Sequence, residues 1–309
     1  MIAIAAVLWS LVIAGAVFGY YVRYVEPARV VVSERTLHLP RLPEALRGLR
    51  IVHLSDFHCQ REPGIERSSR QAIRLAMQQE PDLIAISGDL FDTCEDAVGC
   101  ADQLDGLDAP LGVWAAPGNH DRSHRDPFAC MEAPPEDVTV LHETLEARNI
   151  ALLANENARL TVGGAQIAIA GSDDYAYGRD DVAAALAGTE DADLVILLGH
   201  TPDLLDDPHA GRADLLLCGH THGGQIQLPG IGSPWAPVWR DRRRASGLLR
   251  AESQLCYVSR GVASATRARF NCRPEVAVLT LERGEETAAR DVPVHRDHPS
   301  REQHEEELT

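Results

Sequence analysis

Five short apolar runs recur along the chain, each of a length typical of a buried β-strand. Between the first two runs, Ser68–Gln79 carries apolar residues at helical spacing, which predicts a helix that crosses from one strand to the next. This strand-helix-strand order is typical of parallel pairing and of an α/β fold. The five runs are Leu49–Leu54, Leu83–Ser87, Gly112–Ala116, Leu194–Leu198 and Leu215–Cys218.

Two further patterns extend the prediction. Leu160–Val162 and Gln166–Ala170 flank the pair Gly163-Gly164, which is a typical two-residue hairpin connection. Residues Cys100–Leu107 indicate a second, shorter helix. The middle of the chain therefore predicts a mixed α/β domain.

The first residues form a different kind of segment. Ile2–Val22 contains no charge and is long enough to span a bilayer as a helix of ~20 residues. A secretory signal peptide is the competing interpretation, because Ala14-Gly15-Ala16 resembles a cleavage site, but no Lys or Arg precedes the apolar run. Basic residues follow it instead, which predicts that the anchor is uncleaved and that the domain after it lies in the cytoplasm. They are Arg23, Arg29, Arg35, Arg41 and Arg47.

The chain divides into four predicted parts. Residues 1–22 form the membrane anchor, and residues 23–47 form a connector in which Val30-Val31-Val32, followed by the alternating Thr36–Leu39, indicates a short edge strand. Residues 48–283 form the main α/β domain. Residues 284–309 are rich in acidic residues and poor in apolar ones, which predicts a disordered tail.

Composition narrows the classes of partner. The chain has 309 residues and a formal net charge of −17 at pH 7, which argues against binding to nucleic acid. Its seven cysteines are odd in number and lack the spacing of a disulfide framework, which favours a reducing compartment.

Each of the five predicted strands ends in residues that bind metals. Strand ends along one rim of an open α/β sheet are where such sites are built. Carboxylate, imidazole and amide groups together suit hard or borderline divalent metals, and five such segments in order indicate a two-metal hydrolase. The segments are Asp56-Phe57-His58, Gly88-Asp89-Leu90-Phe91-Asp92, Gly118-Asn119-His120-Asp121, Gly199-His200 and Gly219-His220-Thr221-His222.

This series resembles the signature of the calcineurin-like metallophosphoesterase superfamily, over roughly residues 48–282. The resemblance implies a four-layer α-β-β-α sandwich of two mixed sheets. Three further segments resemble the bacterial branch that contains membrane-anchored phosphodiesterases and UDP-2,3-diacylglucosamine pyrophosphohydrolases. These are His220–Ile226, Val258–Gly261 and Arg269–Glu275.

The resemblance also implies the ligands and the reaction. Two divalent metals are expected, with Mn²⁺ favoured and with Fe, Zn or Mg also suited to the ligands. A hydroxide that bridges them would attack phosphorus in line. The implied ligands are Asp56, His58 and His222 for one metal, Asn119, His200 and His220 for the other, and Asp89 for both.

Four other residues are implied in catalysis or binding. His120 is expected to stabilise or protonate the leaving oxygen, and Asp92 to orient His120. Arg260 and Arg273 are candidates for contacts with the substrate phosphate. The segment Trp235–Arg244 fits either contact with a lipid headgroup or a solubilising surface loop.

Three other interpretations of function remain open. The first is UDP-2,3-diacylglucosamine pyrophosphohydrolase activity specifically, within the leading class of phosphodiesterase or pyrophosphohydrolase on an amphiphilic substrate near the bilayer. The second is a phosphomonoesterase on a soluble substrate. The third is a non-catalytic scaffold, which is disfavoured because all seven implied ligands and His120 are present.

Overall fold

The first sheet is mixed and six-stranded. The computed structural model describes residues 2–122, 138–238, 241–252, 254–263, 268–285 and 287–295. Strand order across the sheet is β1-β12-β2-β3-β4-β5, with all neighbours parallel except β12 and β2. The strands are β1 (Val31–Leu39), β2 (Arg50–Leu54), β3 (Leu83–Ser87), β4 (Val113–Ala116), β5 (Ile150–Leu152) and β12 (Glu275–Arg283).

The second sheet is mixed and seven-stranded, in the order β13-β10-β11-β9-β8-β7-β6. Its strands are β6 (Glu156–Val162), β7 (Ala165–Gly171), β8 (Leu194–Leu198), β9 (Leu215–Cys218), β10 (Gly247–Ala251), β11 (Gln254–Val258) and β13 (Arg290–Asp291). Strands β6 and β7 form the predicted hairpin, and both Gly163 and Gly164 adopt the positive φ that its tight turn requires.

Alternating residues along the strands build the layers. In β3, Leu83 and Ala85 face the core between the sheets, while Ile84 and Ile86 face the helices on the outer side. Strand β9 repeats this pattern in the second sheet, where Leu215 and Leu217 face inward and Leu216 faces outward. The prediction of two mixed sheets in an α/β fold is confirmed.

Helices cover the outer faces. The predicted crossover helix is Pro63–Met77 and begins earlier than expected, because Pro63 is pre-set for the first helical turn. The shorter predicted helix is instead Cys94–Cys100, followed by a 3₁₀ turn at Ala101–Leu104. Other helices are Ile2–Tyr20, Asn119–Arg122, Thr139–Glu146 and Val182–Ala185, with a π-helical turn at Tyr21–Val25 and 3₁₀ turns at Glu44–Leu46, Pro202–Asp206, Ala210–Arg212, His222–Gly224 and Arg242–Ala245.

The N-terminal helix is long and apolar enough to cross a membrane. The candidate span Ile4–Val25 has a mean hydropathy of 1.9, and none of it is buried against the protein. Its end nevertheless contacts the domain. The Phe18 ring packs edge-on against Phe270 at 5.2 Å, and the backbone N–H of Arg269 donates to the carbonyl of Val22 at 3.0 Å.

The connector and part of the predicted tail belong to the domain. β1 pairs along its whole length with β12, so the expected short edge strand spans nine residues. Residues 287–295, expected in the disordered tail, include β13, which pairs with β10, and the buried Val292. The domain therefore extends beyond the predicted boundaries at 48 and 283, while residues 296–309 lie outside the described part of the chain.

Arg244 explains why the chain after β12 packs against the domain. Its fully buried guanidinium donates to both carboxylate oxygens of Asp206, at 2.8 and 2.9 Å, and to the carbonyl of Pro293 at 2.5 Å. The backbone N–H of His295 donates to the same Asp206 carboxylate at 2.6 Å.

We expect Arg244→Ala to lower the free energy of unfolding by about 3–5 kcal/mol, because the buried carboxylate of Asp206 loses its cation. Arg243→Ala is the matched control: the Arg243 side chain in its ion pair with Asp241 is 60% exposed, so the loss should be much smaller than for Arg244→Ala. Urea denaturation of the full chain in detergent measures both. Equal losses for the two variants would contradict the role of the buried pair.

Candidate metal centre

The predicted ligands converge at the carboxyl ends of strands from both sheets. The loops after β2, β3 and β4 meet the loops after β8 and β9, which places side chains from distant parts of the sequence within ligand distance of one another. Three groups have their candidate ligand atoms within 4.8 Å of each other. These groups are Asp56, His58 and His222; His58, Asp89 and His120; and Asp89, His200 and His220.

The loops reach this geometry through left-handed backbone. Five of the seven predicted ligands have a positive φ, between 45° and 67°, although none is glycine. This conformation is costly for residues with a Cβ and persists only where the surroundings enforce it, as at functional sites. The five are Asp56, His58, Asp89, His220 and His222.

Two glycines allow the loops to approach closely. A Cβ at Gly118 would overlap with the Asp89 side chain and backbone, and a Cβ at Gly219 would overlap with Ser55 and Asp56. Glycine at these two positions therefore leaves room for Asp89 and Asp56, which lie on neighbouring loops.

Backbone carbonyls fix the orientation of two histidines. The Nδ1 of His200 lies 2.9 Å from the carbonyl oxygen of Ser87, and the Nδ1 of His222 lies 3.1 Å from that of Ala263. A carbonyl oxygen only accepts, so each Nδ1 carries the proton and each Nε2 presents a lone pair. These two partners were not predictable from the sequence, because every residue has a carbonyl.

Acceptor atoms crowd around Asp89. Its Oδ2 lies 3.1 Å from His200 Nε2, and that nitrogen lies 3.1 Å from His220 Nδ1. With the lone pair of His200 directed inward, a cation bound among these atoms would satisfy them together. Burial disfavours charge on His200, but the carboxylates of Asp89 and Asp56 outweigh burial and raise the pKa of His200 to about 10. The site thus has a strong affinity for positive charge.

Two further atoms fit a bound cation. Asn119 Oδ1 and His58 Nε2 are buried and have no hydrogen-bond partner among the described residues. Buried polar atoms are normally paired, and an unpaired ligand atom in such a cluster is what a metal site requires. The donor set therefore fits divalent metal ions.

Burial keeps two of the ligand histidines, His220 and His222, neutral. It is the main cause that lowers the pKa of His220 to about 3, with the nearby His200 contributing, and it lowers the pKa of His222 well below its usual value. A neutral imidazole is the form that binds a metal.

We expected the carboxylate of Asp92 to orient His120, but in the structure it lies nearer to His58. The carboxylate oxygen Oδ1 lies 3.1 Å from His58 Nδ1 and 3.7 Å from His120 Nδ1. The His120 Nδ1 instead lies 2.9 Å from the backbone carbonyl of Asp92. The side chain of Asp92 thus orients a predicted metal ligand, and its main chain orients His120.

Asp121 joins two of the loops. Its carboxylate accepts hydrogen bonds from the backbone N–H groups of Phe91 and Gly118, both at 2.9 Å. Burial, and secondarily the charge of Asp89, raises the pKa of Asp121 to about 6. Asp121 therefore holds the loops that carry Asp89 and Asn119.

The two candidate arginines lie in a separate cavity. Arg260 and Arg273 line a space of about 480 Å³ whose lining includes none of the predicted metal ligands. The Arg260 guanidinium is also paired with Glu275 at 2.6 Å. These contacts give Arg260 a structural role on the domain.

The segment Trp235–Arg244 divides into two parts. Trp235 is exposed, while Arg244 is fully buried in its pair with Asp206. Trp239 and Arg240 lie outside the described residues. The buried Arg244 is structural, while Trp235, Arg242 and Arg243 are exposed to solvent.

Comparisons with known proteins agree with this geometry. The family model described as calcineurin-like phosphoesterase matches residues 49–224. The chain is 33% identical to the phosphodiesterase YaeI of Escherichia coli K12, over 85% of this chain and 92% of that protein.

Two other relatives carry further information in their names. A bovine transmembrane protein with metallophosphoesterase domain is 31% identical, over 83% of this chain and 58% of that protein. The UDP-2,3-diacylglucosamine pyrophosphatase LpxG of Chlamydia trachomatis is 26% identical, over 90% of this chain and 97% of that protein. With its sheets, its loops and its cluster of metal-binding side chains, the chain belongs to the calcineurin-like phosphoesterase family of metal-dependent phosphoester hydrolases.

Proposed function

We propose that the protein is a two-metal phosphodiesterase or pyrophosphohydrolase that acts on a membrane-associated substrate. The observation that carries the proposal is the cluster of candidate ligand atoms around Asp89, where His200 Nε2 lies 3.1 Å from Asp89 Oδ2 and 3.1 Å from His220 Nδ1. One cation beside His200 leaves the ligand atoms of His58 and His222 on the other side of Asp89 for a second cation.

The two proposed metal positions share Asp89. Asp56, His58 and His222 form the first position, and Asn119, His200 and His220 form the second. A carboxylate between two cations offsets their mutual repulsion. When bound, the metal pair would activate a water molecule for attack on phosphorus and neutralise the phosphoryl oxygens.

His120 is suited to act on the leaving group. Its ring packs edge-on against that of His58 at 4.6 Å, and its side chain is 34% exposed, so it borders the metal cluster and still reaches solvent. Because its Nδ1 donates to the Asp92 carbonyl, its Nε2 is the atom that would exchange a proton with the leaving oxygen.

The N-terminal helix supports a membrane-associated substrate. It is apolar over its whole length, and a related protein is named as a transmembrane protein. Exposed Ile231 and Trp235 lie in the loop that follows the metal-binding His220 and His222, where they would face a bilayer beside the site. The basic residues after the helix support a cytoplasmic position for the catalytic domain.

Asp89→Asn should abolish hydrolysis while the domain remains folded, because the variant removes the charge shared by both metal positions. We expect turnover to fall by more than about 10³-fold, and we expect metal content to fall with it. The measurements are hydrolysis of aryl phosphodiesters and nucleotide-linked lipids, circular dichroism, and elemental analysis. Near wild-type turnover in a metal-replete Asp89→Asn enzyme would contradict the two-metal assignment.

His120→Ala should slow turnover by about 10²-fold or more, as the loss of a general acid does. The loss should shrink for substrates with good leaving groups, which need less protonation. Asp92→Asn is the contrasting variant: it keeps the carbonyl that orients His120 but loses the carboxylate that orients His58, so metal affinity should fall by about 10–100-fold. A uniform loss for His120→Ala across the leaving-group series would argue against proton transfer.

The full-length protein should stay with membranes through high-salt and alkaline washes, because hydrophobic burial of the helix holds it there. Protease added to intact cells should leave the domain uncut. Arg23→Glu together with Arg29→Glu should weaken this orientation. Cleavage by external protease, or a mature N-terminus near Val17, would contradict a cytoplasmic domain on an uncleaved anchor.

A further inference from the structure

A second cavity lies where the N-terminal helix meets the catalytic domain. Its volume is about 260 Å³, and three arginines contribute to its walls: Arg23, Arg67 and Arg269. Its described lining includes no aspartate or glutamate, although the chain as a whole carries a net charge of −17. Such a concentration of cations suits an anion.

Among the described residues, no carboxylate forms an ion pair with any of the three arginines. Arg269 is buried and donates only to backbone carbonyls in its described hydrogen bonds, including those of Ala263 and Arg260 at 2.6 and 2.7 Å. The Nη1 of Arg23 is buried and has no hydrogen-bond partner among the described residues. A buried donor of this kind requires an acceptor.

The helix Pro63–Met77 adds to the positive electrostatic potential of the cavity. Residues of its first turns, Gly64, Ile65, Arg67 and Ser68, line the cavity. The N-terminus of a helix carries partial positive charge, which favours phosphate. The helix end and the guanidinium groups therefore both favour an anion in the cavity.

The position of the cavity identifies the source of the anion. Tyr20 and Tyr24 line it, and both lie within the candidate membrane span Ile4–Val25, near its end. Tyrosines at the end of a spanning helix lie at headgroup level. An acyl chain can then follow the apolar helix while the phosphate enters the cavity.

We propose that this cavity binds the phosphate of an anionic glycerophospholipid, which holds the catalytic domain at a fixed position on the bilayer. The inference rests on the membrane anchorage proposed above but not on hydrolysis. The lipid is a bound component here and is distinct from the substrate at the metals.

The test measures lipid binding to the full-length protein, purified in a neutral detergent and treated with a chelator so that hydrolysis plays no part. The probes are phosphatidylglycerol, phosphatidylcholine with the same acyl chains, and free glycerol phosphate. Native mass spectrometry counts the bound lipids, and thermal unfolding reports the stabilisation. Phosphatidylglycerol should bind at least about tenfold more tightly than either of the other two probes.

Arg67→Gln and Arg23→Gln should each weaken phosphatidylglycerol binding by about tenfold or more, since each removes a charge-assisted hydrogen bond. Arg74→Gln is the matched control, because Arg74 is exposed on the same helix but does not line the cavity. It should change binding by less than about twofold.

Three results would overturn the proposal. Equal loss in Arg74→Gln would show diffuse attraction to charge, and equal binding of phosphatidylcholine would show that the anion is not recognised. Binding of glycerol phosphate as tight as that of phosphatidylglycerol would show a site for soluble phosphate. Loss of hydrolysis in the separate assays, with lipid binding intact, would count against the proposed catalysis alone.

Discussion

The folded structure must offset the free-energy cost of burying carboxylates and imidazole lone pairs next to one another. Asp89 is 1% exposed and lies between His58 and His200, so its charge has little access to water. Positive charge at this point offsets that cost, and without metal a proton on His200 supplies it. The site therefore has a high affinity for cations because the folded state holds carboxylate and imidazole groups against one another.

The two sheets provide the stiffness that this arrangement requires. Left-handed backbone at a residue with a Cβ costs on the order of 1–3 kcal/mol, and five predicted ligands adopt it. The loops that adopt this conformation are short. They follow strands whose residues are fully buried, such as Ile86 in β3 and Leu217 in β9. Packing between the sheets fixes both ends of each loop, so the strained conformation has no easy route of relaxation.

Most of the fold was predictable because apolar runs mark buried strands directly. Strands β3, β8 and β9 have the predicted bounds, and the ligands follow from where those strands end. The contacts of individual polar groups were not predictable from the sequence. Asp92 offers its carboxylate to His58 and its carbonyl to His120, and residue identity does not reveal that division. Likewise, an arginine motif does not show that Arg260 is already paired with Glu275.

The N-terminal helix and the metal-binding loops are connected through a short part of the chain. Glu26 accepts a hydrogen bond from the backbone N–H of Cys272 at 2.6 Å, and the Cys272 thiol donates to the carbonyl of His222 at 3.3 Å. Arg269 extends this connection, because the carbonyl of Ala263 accepts from both Arg269 and His222. A displacement of the helix would therefore act on the backbone of one predicted metal ligand. The helix therefore helps to support the metal-binding loops, and its position relative to the domain affects the backbone of His222 as well as the location of the protein.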